Sequence, residues 1–168
     1  ITMFLTPIIS GQTAHLYALS KRWFKHEPLD TINYPKSGLR NHVIIVGGGR
    51  VGFRIAQVLK RLSVPMLIIE LDQLRVEQAK NSEITVIYGD ASHEVVLEAA
   101  ETSSARMLII TSPEVVIAQA IVENARKVNT EIQVVARAPG VEFLEEFKKL
   151  NISEVVIPEF EAGLEMAR

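Results

Sequence analysis

The stretch HVIIVGGGRVG, residues 42–52, decides the fold of this chain. A short apolar run ends at Gly47, and glycines with the spacing G-x-G-x-x-G follow at Gly47, Gly49 and Gly52. From about Arg50 to Leu62 the apolar residues recur at helical spacing. A strand, a glycine-rich turn and a helix in this order are typical of the first βαβ unit of a parallel sheet.

The same alternation of apolar runs and helical patterns continues to the end of the chain. The further predicted strands are Met66–Glu70, Thr85–Tyr88, Met107–Thr111, Ile132–Ala136 and Glu154–Ile157. These runs are continuous rather than alternating, which is typical of strands buried on both faces of a parallel sheet. We therefore predict an α/β fold, a Rossmann-like doubly wound domain with six parallel strands in the order 3-2-1-4-5-6.

Composition limits the kinds of function. The chain has 168 residues, a net charge of −2 and no cysteine. Without cysteine there is no disulfide, no thiolate metal site and no cysteine nucleophile. Because the chain as a whole carries no excess of positive charge, we expect no nucleic-acid partner.

The first forty residues differ from the rest. Residues 1–9, ITMFLTPII, are mostly apolar, and Lys21, Arg22 and Lys25 follow. A membrane-spanning helix needs about 20 apolar residues, so residues 1–9 cannot span alone. Apolar residues followed by positive charge are the order found at the cytosolic end of a membrane helix. We expect residues 1–40 to be the end of such a helix plus a linker, and residues 41–168 to be the α/β domain; the alternative for the apolar segment is a buried or disordered arm.

The glycine loop is the first candidate binding element. Gly47 permits the tight turn after the strand, Gly49 lets backbone approach a diphosphate, and Gly52 allows the helix to pack closely on the sheet. Arg50 and Val51 complete the loop, and the start of the helix offers free N–H groups to phosphate. We predict binding of an adenine nucleotide here; the alternative is a glycine-rich turn without a ligand.

Glu70 ends the second predicted strand and is the second element. A carboxylate at this place accepts hydrogen bonds from the hydroxyls of an adenosine ribose, and it repels a 2′-phosphate, which disfavours NADP. Leu71 and Asp72 follow directly. Asp72 either shares the ribose or caps the following helix, and for Glu70 the alternative is a solvated strand end.

The ends of the third and fourth strands supply polar groups to the same rim. Asp90, Ala91 and Ser92 follow the third strand, where Asp90 could accept from the adenine amine; Asp90 and Ser92 could instead cap the next helix. Thr111 and Ser112 end the fourth strand, and they either line the ligand or cap a helix that begins at Pro113, which we favour slightly.

Arg137 ends the fifth strand, near the crevice where the strand order reverses. An arginine there suits forked recognition of phosphate or carboxylate. The alternative is a solvated surface charge.

Taken together, these segments resemble a known family. GGGRVG, LIIELD, YGDAS, MLIITS, VVARA and EVVIPE are similar to segments of the RCK, or TrkA-N, nucleotide-binding domain, over about residues 41–168. YGDAS, at the end of the third strand, is the most specific of them. FLTPII, followed by basic residues, resembles the end of the last membrane helix of Kef-like monovalent cation/proton antiporters.

The resemblance implies a role for each candidate residue. It implies a cytosolic domain that binds NAD(H), AMP, ADP or ATP and gates a potassium or sodium/proton antiporter by rearrangement of a homodimer. Its partners would be a second copy and the membrane transport domain of the same polypeptide. In that family Arg137 would face a regulatory ligand at the dimer interface. Glutathione is a minor option, because residues 129–132 lack an HxxP-like pattern.

We do not expect an enzyme. A dehydrogenase of this fold needs a second domain that holds substrate, and the forty residues outside the α/β domain are too few to build one. The alternatives are a fragment of an NAD-dependent dehydrogenase, or a structural dimerisation module with a vestigial pocket. Weak support for dimerisation, or equally for an internal core, comes from the apolar residues Phe143, Leu144, Phe147, Phe160, Leu164 and Met166.

Overall fold

A computed structural model describes residues 31–32 and 38–168 of the chain. The predicted end of a membrane helix, and most of the predicted linker, lie outside the described residues. In the part that is described, no helix has both the length and the apolar character to cross a bilayer.

A single sheet forms the centre of the described domain. Its strands are β1 Thr31–Ile32, β2 Val43–Val46, β3 Met66–Glu70, β4 Val86–Tyr88, β5 Met107–Ile110, β6 Gln133–Arg137 and β7 Glu154–Val156. The order across the sheet is β1-β4-β3-β2-β5-β6-β7, and β2 to β7 are parallel to one another. The six parallel strands therefore confirm the predicted order 3-2-1-4-5-6. The sequence pattern did not reveal β1, which pairs antiparallel to β4 at the edge.

Helices cover both faces of the sheet. They are α1 Arg50–Arg61, α2 Gln73–Asn81, α3 Glu94–Ala99, α4 Val115–Val128, α5 Leu144–Lys149 and α6 Pro158–Met166, with short 3₁₀ turns at Thr102–Ser104 and Val141–Phe143. This layering is that of a doubly wound α/β domain.

The apolar runs are buried on both faces, as their continuity predicts. Every residue of β2 and β3 is buried. Successive side chains of a strand point to opposite faces. Ile45 belongs to a core cluster with Ala56 of α1 and Val76 of α2, while its neighbour Ile44 belongs to another with Ile121 of α4.

The helix after β5 corrects one prediction. Ser112 and Pro113 do not begin it, because α4 starts at Val115 with Glu114 at the N-cap position and no side-chain cap hydrogen bond. The chain stays non-helical from Thr111 to Glu114. Thr111 is held at the end of β2 by hydrogen bonds, and this fixes the chain as it leaves β5.

The chain enters the domain through a set of contacts that we call the linker clasp, formed by Leu39, His42, Glu101 and Ser104. The Leu39 N–H donates to Glu101 Oε2 at 3.1 Å, and Ser104 Oγ donates to the Leu39 carbonyl at 3.0 Å. His42 Nε2 donates to the Ala100 carbonyl at 2.9 Å. The segment before β2 is thereby fixed to the loop before β5.

Candidate functional site

A cleft of about 460 Å³ lies at the carboxyl ends of the parallel strands. Here β3 and β5 lie on opposite sides of β2, so the chain leaves β2 at the point where strand order reverses. Such crevices are the usual ligand sites of doubly wound sheets. The predicted site residues that line it are Gly47, Gly49, Glu70, Leu71, Asp90, Ala91, Ser92, Thr111 and Arg137. Ser112 also lines it, whereas Arg50, Val51, Gly52 and Asp72 lie outside it.

The glycine loop is fixed from two sides. Gly47 has a φ of +94°, and a Cβ on it would lie 2.5 Å from Thr111 Oγ1, so only glycine fits without strain. The Thr111 hydroxyl is 2.9 Å from the Val46 carbonyl and 3.2 Å from the Gly47 carbonyl, to which it can donate. Thr111 therefore lines the cleft and secures the loop, and it does not cap a helix.

Gly49 and Gly52 meet different needs. A Cβ on Gly52 would lie 1.9 Å from the Gly47 carbonyl oxygen, which agrees with the predicted close packing of helix on strand. A Cβ on Gly49 would meet only the Arg75 guanidinium, at 3.7 Å and beyond, so the backbone is open there. Because the first turn of α1 follows, its leading N–H groups have no partner within the helix. The loop thus offers backbone donors beside an open surface.

Glu70 is buried, with 6% of its surface exposed. Its Oε2 accepts from the Gly48 N–H at 2.5 Å, and its Oε1 accepts from the N–H groups of Leu71 and Asp72 at 2.7 and 2.8 Å. The alternative of a solvated strand end is therefore wrong. The carboxylate is held in one place between the glycine loop and the start of α2.

Asp72 is the N-cap residue of α2. Its Oδ1 accepts from the N–H groups of Leu74 and Arg75 at 2.9 and 3.2 Å. This confirms the capping interpretation. A part in binding ribose stays a prediction for Asp72, which does not line the cleft.

Arg75 is a cleft residue that the sequence analysis missed. Its Nη1 lies 3.6 Å from Glu70 Oε2, and its side chain lines the cleft beside Gly49. The available signal was its place in the first turn of the helix that follows Glu70. A first turn begins at the same rim as the strand before it, so a long side chain there can reach the site.

Asp90 and Ser92 line the cleft together, and neither caps a helix. His93 occupies the N-cap position of α3, without a side-chain cap hydrogen bond. Asp90 Oδ1 instead accepts from the Ser92 N–H at 2.8 Å, which closes a local turn. The Ser92 carbonyl accepts from Asn124 Nδ2 at 2.7 Å, which ties this turn to α4. The capping alternative was wrong because the turn delays the helix by one residue.

Arg137 lies in the cleft wall, and 28% of its side chain is exposed. Its Nη2 donates to Glu159 Oε1 at 3.0 Å, while its Nε is buried without a hydrogen-bond partner in the described part of the chain. The pKa of Glu159 is lowered by a hydrogen bond from its own backbone and by Arg137. A buried, unpartnered N–H donor in a cleft wall is suited to an anionic or carbonyl group of a ligand. The alternative of a solvated charge is wrong.

These features fit an adenine nucleotide. The space beside Gly49 that a Cβ would fill, the fixed carboxylate of Glu70 and the unpartnered Nε of Arg137 offer groups suited to phosphate, ribose hydroxyls and a further anion. A metal centre has no comparable support: in residues 31–32 and 38–168 no group of three His, Asp or Glu side chains could hold a metal ion.

Comparison with known proteins settles the family. Residues 43–158 match the sequence profile of the TrkA-N domain. The chain belongs to the TrkA-N domain family. This confirms the resemblance given by the glycine loop and YGDAS, and the relatives below agree with the resemblance to Kef-like antiporters.

Among curated relatives of this TrkA-N domain is the putative K(+) efflux antiporter KefB of Alkalimonas amylolytica, 31% identical over 138 residues. The match covers 82% of this chain and 21% of that antiporter, so the chain spans about a fifth of its relative's length.

Two solved structures are also similar. The TrkA-N domain of the inner membrane protein ybaL from Escherichia coli has a TM-score of 0.72 and 29% identity, covering 77% of this chain and 96% of that one. The Kef C-terminal domain of Shewanella denitrificans, in its AMP-bound form, has a TM-score of 0.66 and 27% identity, covering 75% and 76%.

Proposed function

We propose that this chain is the nucleotide-sensing regulatory domain of a Kef-type antiporter that exchanges K⁺ or Na⁺ for protons. The observation that carries the proposal is the cleft at the strand ends, where the glycine loop and the buried Glu70 carboxylate face one space. The relatives support the transport context, because KefB is named as a K(+) efflux antiporter. In this proposal the domain lies on the cytosolic face of the membrane.

The proposed ligand is an adenine nucleotide: NAD(H), AMP, ADP or ATP. Backbone N–H groups of the glycine loop would receive phosphate, and Glu70 would accept from the ribose hydroxyls. Asp90 and Ser92 would lie beside the adenosine. The AMP-bound Kef C-terminal domain supports this class of ligand. Glutathione is a minor candidate for a second ligand near Arg137.

We further propose that the nucleotide acts by changing how two copies of the chain are arranged. A ligand shifts such a balance only by its difference in affinity for the two arrangements, typically about 1–3 kcal/mol. The exposed side chains of Phe160, Leu164 and Met166 on α6 offer apolar surface for a second copy. Phe147, by contrast, is completely buried and belongs to the core.

The linker is the proposed route from the domain to the membrane part. Two contacts support it. The linker clasp fixes Leu39 to the loop before β5, and β1 adds Thr31 and Ile32 to the sheet edge. A change in the position of the domain is therefore transferred to the chain that precedes it. In this proposal the domain binds the nucleotide and does not turn it over.

Calorimetry with NADH, NAD, AMP and ATP on the full chain tests the proposal. We expect at least one of them to bind with a dissociation constant below about 1 mM, which corresponds to about −4 kcal/mol. Glu70→Gln should weaken that binding at least about tenfold, because an amide supplies one acceptor where the carboxylate supplies two. The matched control is Glu83→Gln, whose side chain is 87% exposed and outside the cleft. No binding by any of the four nucleotides would overturn the proposal.

Sedimentation of the full chain, with and without saturating nucleotide, tests the dimer. We expect a dimer whose sedimentation coefficient changes on addition of nucleotide. A monomer at high concentration under both conditions would contradict the gating part of the proposal while leaving nucleotide binding intact. Incubation with NADH and candidate keto acids gives the separate check on catalysis, and oxidation of NADH would contradict the regulatory reading.

A further inference from the structure

A second pocket lies on the other side of the glycine loop from the cleft. It has a volume of about 510 Å³ and lies between the loop and the first turns of α1 and α2. Arg50, Arg54 and Arg75 line it together with polar and apolar neighbours, and none of its lining residues is acidic. Gly49 and Arg75 belong to both the pocket and the cleft, so the two spaces share a wall.

Most of the positive charge in this pocket is not neutralised. Among the ion pairs of the described residues, Arg75 has a partner in Glu70, but Arg50 and Arg54 do not occur. Arg54 Nη1 donates to Gln57 Oε1 at 3.2 Å, which is a neutral partner. Clustered guanidinium groups with no anion between them form a site for a doubly charged oxyanion, since each presents a fork of N–H donors.

The pocket begins where the proposed ribose position ends. Gly48 lines the pocket, and its N–H donates to Glu70 Oε2. A ribose held by Glu70 therefore has one hydroxyl close to the shared wall. The charge of Glu70 is already offset by hydrogen bonds from Gly48, Leu71 and Asp72 and by Arg75 at 3.6 Å. The expectation that Glu70 disfavours a 2′-phosphate considered the carboxylate alone, without these groups and without the three arginines.

We propose that this pocket binds a phosphate monoester on the 2′ position of the ribose, so that the domain accepts NADP(H) as well as NAD(H). A phosphate monoester carries a charge of about −1.5 to −2 at neutral pH, which two or three arginines can match. The inference rests on the proposed function, because it places the 2′-phosphate on the nucleotide that Glu70 holds. Arg54 is the specific determinant, since it lines the pocket and not the cleft.

Titration calorimetry of the full chain with NADH and NADPH tests the inference. We expect NADPH to bind at least as tightly as NADH, and to lose affinity more steeply with added salt because it carries the additional charge. Arg54→Gln should weaken NADPH about tenfold, or about 1.4 kcal/mol, and leave NADH within about twofold. Arg61→Gln removes the same charge from the last turn of α1, outside the pocket, and should change neither.

The outcomes separate this inference from the proposed function. If neither dinucleotide nor any adenine mononucleotide binds, the proposed function fails. If NADH binds while NADPH binds at least tenfold more weakly, or if Arg54→Gln weakens both alike, only the 2′-phosphate inference is overturned. Inorganic phosphate distinguishes the two sources of the anion: competition with NADPH but not with NADH supports the shared position, and equal competition with both contradicts it. Thermal unfolding of each variant confirms that it is folded.

Discussion

Replacement of Gly52 by alanine is the most direct test of how the glycine loop is built. A Cβ at this position would lie 1.9 Å from the carbonyl oxygen of Gly47, whereas Cβ atoms in proteins essentially never approach a heavy atom within 3.0 Å. The helix or the loop must therefore move by about 1 Å, and the atom that is met is backbone and cannot rotate away. Overpacking of this kind costs about 1–3 kcal/mol, and a clash with backbone belongs at the upper end.

Alanine also brings a gain, because it is favoured over glycine inside a helix by about 1 kcal/mol. The net loss for Gly52→Ala is then about 2 kcal/mol. For a domain of this size, each kcal/mol changes the melting temperature by about 2–4 °C, so we expect a decrease of about 4–8 °C. Differential scanning calorimetry measures it directly.

Gly163→Ala is the matched control. Gly163 also lies inside a helix, α6, but a Cβ there meets nothing within 4 Å. Only the helix preference remains, so this variant should be more stable than the wild type by about 0.5–1 kcal/mol. Opposite signs for the two substitutions support the packing argument. If Gly52→Ala is as stable as the wild type, the contact between Gly52 and Gly47 does not limit the approach of α1 to β2, and the argument is refuted.

Further predictions concern the loop support, the linker clasp and the cleft wall. Thr111→Val removes the hydroxyl that can donate to the Val46 and Gly47 carbonyls, and denaturant unfolding should show a loss of about 1 kcal/mol; an unchanged midpoint would contradict that role. Burial lowers the pKa of His42 from its ordinary value of 6.5, so the unfolded chain takes up the proton more readily; the stability that neutral His42 contributes is complete above pH 6.5 and is lost as the pH falls through the lowered pKa. His42→Gln should flatten this part of the pH profile of unfolding, and replacement of the exposed His93 should not. Arg137→Ala should weaken nucleotide binding several-fold in calorimetry, while Glu159→Gln, which breaks the same ion pair from outside the cleft, should leave affinity within about twofold; equal effects would mean that the ion pair, rather than the cleft position of Arg137, is what matters.

The parallel sheet could be predicted from the sequence because burial on both faces leaves a direct pattern. Val43–Val46 and Met66–Glu70 are continuous apolar runs, apart from the terminal Glu70, and both are fully buried. The strand Thr31–Ile32 could not be found in this way. Two residues show no periodicity, and their pairing with β4 depends on where the linker passes the sheet edge.

The candidate site was predicted where local chemistry is decisive and missed where tertiary contacts decide. Gly47 and Gly52 are recognisable because their backbone geometry excludes a side chain. The capping prediction for Ser112 failed because Ser112 follows Thr111, which is bound to a different strand, and a sequence pattern does not show that contact. Arg75 was missed for the same reason: its position near Glu70 exists only once α2 has packed beside the glycine loop.

The strand β5 joins two features that lie far apart on the sheet. At its carboxyl end Thr111 holds the glycine loop, and just before its amino end the Arg106 N–H donates to the carbonyl of His42 in the linker clasp at 3.0 Å. The four residues between them form an extended rod of about 13 Å, hydrogen-bonded to a neighbour on each side. A push on the loop end of this rod reaches the incoming chain at the opposite pole of the domain without crossing a single pliable joint.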